Sequence, residues 1–219
     1  MRELRAAWPP GRAIALHQEP DGLLTLALDD GTALRSRALI IATGATYKAL
    51  PVPRWSDFGG RGIYYPATEL EARRCAGRPV TVTGGANSAG QAALFLAARC
   101  QHVTMAVRGA DLAATMSTYL LDRITDHPDI TMATHTEISA LHGEDTLARV
   151  TLTRHEGSAT SSTDIASQGL FCFIGAVPAT DWLPEITTDA AGFICTDARL
   201  APDAEPRWAR HSSPGFPAS

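Results

Sequence analysis

The spacing of apolar and polar residues divides the chain into short elements. Residues 13–16 and 23–28 read as two strands separated by the turn signal Glu19-Pro20-Asp21-Gly22. Asp29-Asp30-Gly31 is a second turn signal, and residues 32–36 give a third strand. Residues 38–42 are apolar throughout, as in a strand buried on both faces. Pro51-Val52-Pro53 reads as extended linker, and residues 69–75 as a short helix. Val80 and Val82 mark a buried strand. From Asn87 the period becomes helical, with Ala89, Ala92, Ala93 and Leu96 on one face. Val103, Met105 and Val107 alternate as a strand, and Leu112, Met116, Tyr119, Leu120 and Ile124 recur at helical spacing. Residues 130–133, 136–141, 147–154 and 169–174 read as strands, with a polar turn over residues 157–163. The last residues, 201–219, have no apolar period and are expected to be disordered.

The order strand, helix, strand, helix and then further strands predicts an α/β nucleotide-binding domain between Val80 and Arg154. Pieces of another unit flank it, which is the layout of one domain inserted into another. The stretch from Arg78 to Leu96 carries the chemistry. Gly84, Gly85 and Ala86 form a turn with almost no side chain between a strand and a helix. Free N–H groups at the helix start, with the helix dipole behind them, favour a phosphate there. The usual dinucleotide pattern is G-x-G-x-x-G/A; here it is Gly84-x-Ala86-x-x-Ala89, so the middle glycine is replaced.

Composition narrows the function classes. The 219 residues are 45% hydrophobic and 19% charged with a formal net charge of −4, which gives no basic footprint for nucleic acid. No apolar run is long enough to cross a bilayer, and residues 1–10 lack the apolar core of a secretory signal, so no membrane partner is expected. Cys75, Cys100, Cys172 and Cys195 form no C-x-x-C pair and, with seven scattered histidines, no metal-ligand spacing. Four scattered cysteines fit a reducing cytoplasm. The second strand ends in Val107-Arg108-Gly109. An acidic residue there would accept from the ribose hydroxyls of NAD, whereas Arg108 suits the additional phosphate of NADP.

Three stretches together resemble the thioredoxin-reductase-like flavoproteins of the FAD/NAD(P)-dependent pyridine nucleotide-disulfide oxidoreductase family. Ala38-Leu-Ile-Ile-Ala-Thr-Gly-Ala45 resembles that family's ATG segment. Val82-Thr-Gly-Gly-Ala-Asn-Ser-Ala-Gly-Gln-Ala-Ala93 resembles its NADPH loop, and Leu170-Phe-Cys-Phe-Ile-Gly-Ala-Val-Pro-Ala-Thr-Asp181 its later F-x-F-I-G-x-x-P segment. The likeness runs in order from about Ala13 to Leu200. It implies a Rossmann-like NAD(P)H-binding domain over residues 51–166, inserted into a partial FAD-binding domain made of residues 1–50 and 167–200. It also implies that Gly84, Gly85, Ala86, Asn87, Ser88 and Ala89 surround the NADPH pyrophosphate, that Arg108 meets the 2′-phosphate, and that Thr43, Gly44, Ile174 and Gly175 lie near the cofactors. NADPH is the expected nucleotide, with NADH as the alternative. The additional arginines that the family offers after Arg108 are replaced by Gly109 and Ala113.

Two departures shape the expected activity. After Gly62-Ile63-Tyr64-Tyr65, the family's redox cysteine positions hold Pro66 and Glu69, which cannot exchange disulfides. Nothing before Ala13 resembles the first G-x-G-x-x-G turn that holds the FAD pyrophosphate, so the chain reads as a middle fragment of a longer protein, and this fragment is expected to have lost the main anchor for FAD. The resemblance therefore implies an oxidoreductase passing electrons from NAD(P)H through FAD to an acceptor other than a dithiol, with no acid–base catalytic residue. The alternative is a non-catalytic NADP-binding chain, or a subunit needing another chain to complete the FAD site; a redox partner protein and a homodimer are the partners the resemblance allows.

Overall fold

The computed structural model describes residues 11–196. The expectation of a disordered tail over residues 201–219 lies outside them. The chain forms two compact units, one of Met1–Thr46 with Ala176–Ser219 and one of Tyr47–Gly175.

In the first unit, β1 (Ala13–Gln18), β2 (Leu24–Leu28) and β3 (Ala33–Ser36) form an antiparallel meander. Its turns are the ones the sequence signals. The Asp21 carboxylate accepts from the Leu23 N–H at 3.1 Å, and the Asp30 carboxylate accepts from the Thr32 N–H at 2.8 Å. β4 (Ala45–Tyr47) follows. The apolar run over residues 38–42 forms no strand, and Ile40 is 91% exposed, so the expected doubly buried strand is absent. A strand of that kind needs a sheet to lie in, and among the described residues of this unit none pairs with it.

The second unit starts with a 3-10 turn over Trp55–Phe58, then β5 (Ile63–Tyr64), α1 (Glu69–Arg74), β6 (Pro79–Thr83), α2 (Asn87–Ala97), β7 (His102–Ala106), α3 (Thr118–Thr125) and β8 (Ile130–Ala133). β9 (Thr136–Gly143), β10 (Leu147–Glu156), β11 (Ala159–Ala166) and β12 (Leu170–Cys172) complete it. A parallel sheet has the order β5-β12-β6-β7-β8, and an antiparallel sheet the order β11-β10-β9. One face of the parallel sheet packs on α2 and α3 through Val80, Val82, Val103, Met105, Leu96 and Ile124. The other meets the antiparallel sheet through Ile63, Ala106 and Leu170 against Ile138, Leu147 and Val150. Both faces are covered, which is why these strands read as apolar. Thr81, fully buried, donates to Ser167 Oγ at 2.9 Å, which satisfies its hydroxyl.

Three expectations change. Helix α3 begins at Thr118 rather than at Leu112, because the Asp111 carboxylate accepts from the Ala113 N–H at 2.8 Å and Ser117 is extended. The polar stretch after Gly157 is mostly the edge strand β11, paired along its length with β10. β12, expected in the outer domain, pairs Leu170 with Thr81 and Phe171 with Val82, so the compact unit closes at Gly175 rather than at residue 166. Beyond it, β13 (Ala176–Pro178) pairs with β4.

Candidate functional site

The carboxyl ends of β6, β7 and β12 meet around the turn that opens α2. The Gly84 N–H donates to the Ala106 carbonyl at 3.3 Å, and the Phe173 N–H to the Thr83 carbonyl at 2.8 Å. Gly84 has φ +133°, and a Cβ there would stand 2.4 Å from the Phe173 carbonyl oxygen. The Phe173 backbone therefore leaves no room for a side chain at this position. A Cβ on Gly85 would meet Val107 Cγ1 at 3.0 Å, so the turn also fits closely against the end of β7.

Ala86 is the residue preceding helix α2, extended at φ −102° and ψ 177°, and gives the helix no side-chain cap. Ala86, Asn87 and Ser88 are exposed. The Ala89 and Gly90 N–H groups turn back to the Ala86 carbonyl at 2.9 and 3.2 Å, which leaves the first N–H groups of the helix facing outward. Ala89 is fully buried, its methyl group packed in the core. The Asn87 side chain is committed as well, since its Oδ1 accepts from the Ser117 N–H at 2.8 Å and ties α2 to the start of α3. Thr115, which the sequence did not single out, donates to the Gly85 carbonyl at 2.7 Å and fixes the turn from the other side. No sequence pattern marks Thr115; only the packing of the 111–117 loop brings it there.

Arg108 follows Val107 beyond β7, exposed, with no carboxylate partner among the described residues. Ile174 and Gly175 continue from β12. Gly175 has φ +105°, and its carbonyl accepts from the Lys48 N–H at 3.1 Å. Gly84 to Ala89, Arg108, Ile174 and Gly175 thus share the second unit. Thr43 and Gly44 belong to the first, where the Thr43 hydroxyl donates to the Ala179 carbonyl at 2.9 Å and Gly44 has φ +73° with open space beside it.

The segment from Pro66 to Glu69 serves α1. Thr68 caps the helix in a capping box with Glu71, and Glu69 pairs with Arg99 at 2.5 Å. Ala67 and Phe173 line a cavity of about 280 Å³ together with Ser88, Gln91, Ala92 and Phe95 of α2. All four cysteines are free thiols. Burial pushes the Cys75 and Cys172 thiols up to about 11, so neither is a thiolate at neutral pH. Among the described residues no cluster of ligands could hold a metal, and no helix is long and apolar enough to cross a membrane.

Thioredoxin reductase of Treponema pallidum (strain Nichols) is 31% identical over 173 residues, which are 79% of this chain and 55% of that protein. NADH dehydrogenase of Bacillus subtilis (strain 168) is 30% identical over 165 residues, 75% of this chain and 31% of that protein. The chain therefore spans about half or less of these relatives. The thioredoxin reductase structure from Lactococcus lactis (FR conformation) matches with a TM-score of 0.72 at 24% identity over 87% of this chain and 61% of its own. That from T. acidophilum matches with 0.72 at 21% identity, over 86% and 60%. These two show a shared fold. The family model described as pyridine nucleotide-disulphide oxidoreductase matches residues 10–207, and the chain belongs to that family, on its thioredoxin-reductase-like side.

Proposed function

We propose that the unit Tyr47–Gly175 binds NADPH in preference to NADH, and that the chain serves an NAD(P)H-dependent flavoprotein oxidoreductase that works without dithiol chemistry. The uncapped, exposed start of α2 carries the nucleotide assignment. A pyrophosphate supplies the acceptors that no side chain of the turn supplies. Arg108, unpaired at the end of the adjacent strand, suits a 2′-phosphate through its two-pronged guanidinium. Asn87 and Thr115 act as positioning residues, holding the turn to the 115–117 loop.

FAD, when bound, is the carrier that takes electrons from the reduced nicotinamide. The described residues do not complete a site for it. The Thr43 hydroxyl is already engaged, and the described part of the first unit contains no helix whose N-terminus could hold a second pyrophosphate. Electrons that leave the chain go to an acceptor needing no protein dithiol, since Pro66 and Glu69 are an exposed proline and an ion-paired helix residue. Free cysteines throughout suit a reducing cytoplasm.

One observation favours a second reading, a subunit whose FAD site is completed by another chain or a second copy. The apolar run around Ile40 lies unpaired, with Ile40 91% exposed. NADPH oxidation with added FAD and a dye acceptor separates the readings. Turnover supports the first. NADPH binding without turnover supports the second, and a chain that binds no NADPH is neither.

A further inference from the structure

Three arginines gather at the end of the parallel sheet opposite the nucleotide turn. Arg61 stands just before β5, Arg78 just before β6, and Arg74 ends α1. With Tyr64, Leu147 and Gln168 they line one cavity of about 270 Å³. β5, β12 and β6 are parallel neighbours, so Arg61, Gln168 and Arg78 all precede their strands at the amino end of the sheet. The Gly84 turn leaves β6 at its carboxyl end, ~16 Å of strand away. The cavity is thus distinct from the site described above.

No carboxylate lines this cavity. Four other exposed arginines of the unit do have carboxylates, Arg54 with Asp57, Arg99 with Glu69, Arg149 with Asp164 and Arg154 with Glu156, whereas Arg73 and Arg108 have none among the described residues. Arg61, Arg74 and Arg78 form no ion pair among the described residues. Glu71, whose carboxylate acts on Arg74, is engaged by Thr68. Arg74 is also fixed in place, since its Nη1 donates to the Gly60 carbonyl at 3.0 Å. Tyr64 is 8% exposed, and burial raises its phenol above the ordinary value, so at neutral pH it stays a proton donor.

We propose that this cavity is a site for a small organic phosphate. The guanidinium groups of Arg61, Arg74 and Arg78 hold the phosphoryl oxygens, and Tyr64 and Leu147 flank the organic part. Guanidinium forks match phosphate oxygens in pairs, which a bare monovalent anion cannot use. Titration of the ¹⁵N-labelled full chain with phenyl phosphate at constant ionic strength tests it. The backbone amides of Gly60, Arg61, Leu147 and Gln168 should shift saturably. The doubly substituted Arg61→Gln, Arg78→Gln chain should bind at those amides at least tenfold more weakly, and Arg154→Gln, outside both sites, should bind as the unchanged chain does. If the double variant does not fold, Arg78→Gln alone serves, because Arg78 is exposed. The proposal is overturned if those amides stay still, if chloride moves them equally, or if the Arg61 and Arg78 variants bind phenyl phosphate as tightly as the unchanged chain.

Discussion

Replacing Ala86 by aspartate should move stability and nucleotide affinity in opposite directions. Ala86 precedes α2 in extended backbone at φ −102° and ψ 177°, is exposed, and supplies no cap. An aspartate accepts the Ser88 N–H from that position without strain. Exchanging alanine for a capping residue is worth ~1 kcal/mol. A negative charge at the helix start adds roughly 0.5 kcal/mol. For a chain of this size, that sum raises the melting temperature by about 3–6 °C. The same carboxylate occupies the N–H groups that a pyrophosphate would use, and it opposes the phosphate's charge. Two unit charges 4 Å apart at an effective dielectric of 20 interact by about 4 kcal/mol. A third of that, allowing for exposure of the turn, already weakens NADPH about tenfold. Thermal melts and NADPH fluorescence titration of Ala86→Asp and Ala86→Gly read both quantities; the glycine variant should bind at least as tightly as the unchanged chain. A stabilised Ala86→Asp that still binds NADPH with unchanged affinity refutes the phosphate assignment. A destabilised one refutes the capping geometry.

Gly84→Ala should lower stability by about 2–4 kcal/mol, from backbone strain and the clash with the Phe173 carbonyl, and so lose nucleotide binding only as the unit unfolds; urea titration with and without NADPH distinguishes this from a filled turn. Arg108→Ala should weaken NADPH at least about tenfold and leave NADH nearly unchanged, since only NADPH carries the additional phosphate; equal losses for both nucleotides would remove Arg108 from that role. Asn87→Ala should cost about 1 kcal/mol and speed amide exchange at Ser117, whose N–H loses its acceptor. The alkaline limb of stability follows from Cys75 and Cys172. Their thiols are raised in the fold from 9.0 to about 11, so the stability they contribute is present below pH 9 and falls as pH rises towards 11; urea midpoints at pH 7 and 10 should differ in that direction, and both thiols should react slowly with a disulfide reagent until the chain unfolds.

The sequence by itself determined the strand–turn–helix of β6 and α2, because that signal is local. Alternating valines, small turn residues and a helical apolar stripe lie within twenty residues of each other, and the turn signals at Asp21 and Asp30 act on neighbouring N–H groups. It also pointed to Arg108, because a strand's end and the residue after it are local features too. Burial and pairing depend on what lies alongside, and there local reading failed. Residues 38–42 have the composition of a doubly covered strand yet are uncovered at Ile40, while β11 is polar on both sides and is a strand only because β10 offers it a hydrogen-bonded edge. The family likeness assigned β12 to the outer segments, but its register against Thr81 and Val82 puts it in the central sheet. Gly84 shows the difference most sharply. The pattern marks a glycine there, and the structure adds a reason that no local pattern carries: a Cβ would meet the Phe173 carbonyl, far along the chain. Ala89, Asn87 and Thr115 were likewise given their places by packing between elements. The convergence of Arg61, Arg74 and Arg78 on one cavity left no trace in the sequence, because the starts of β5 and β6 and the end of α1 come together only once the sheet has formed.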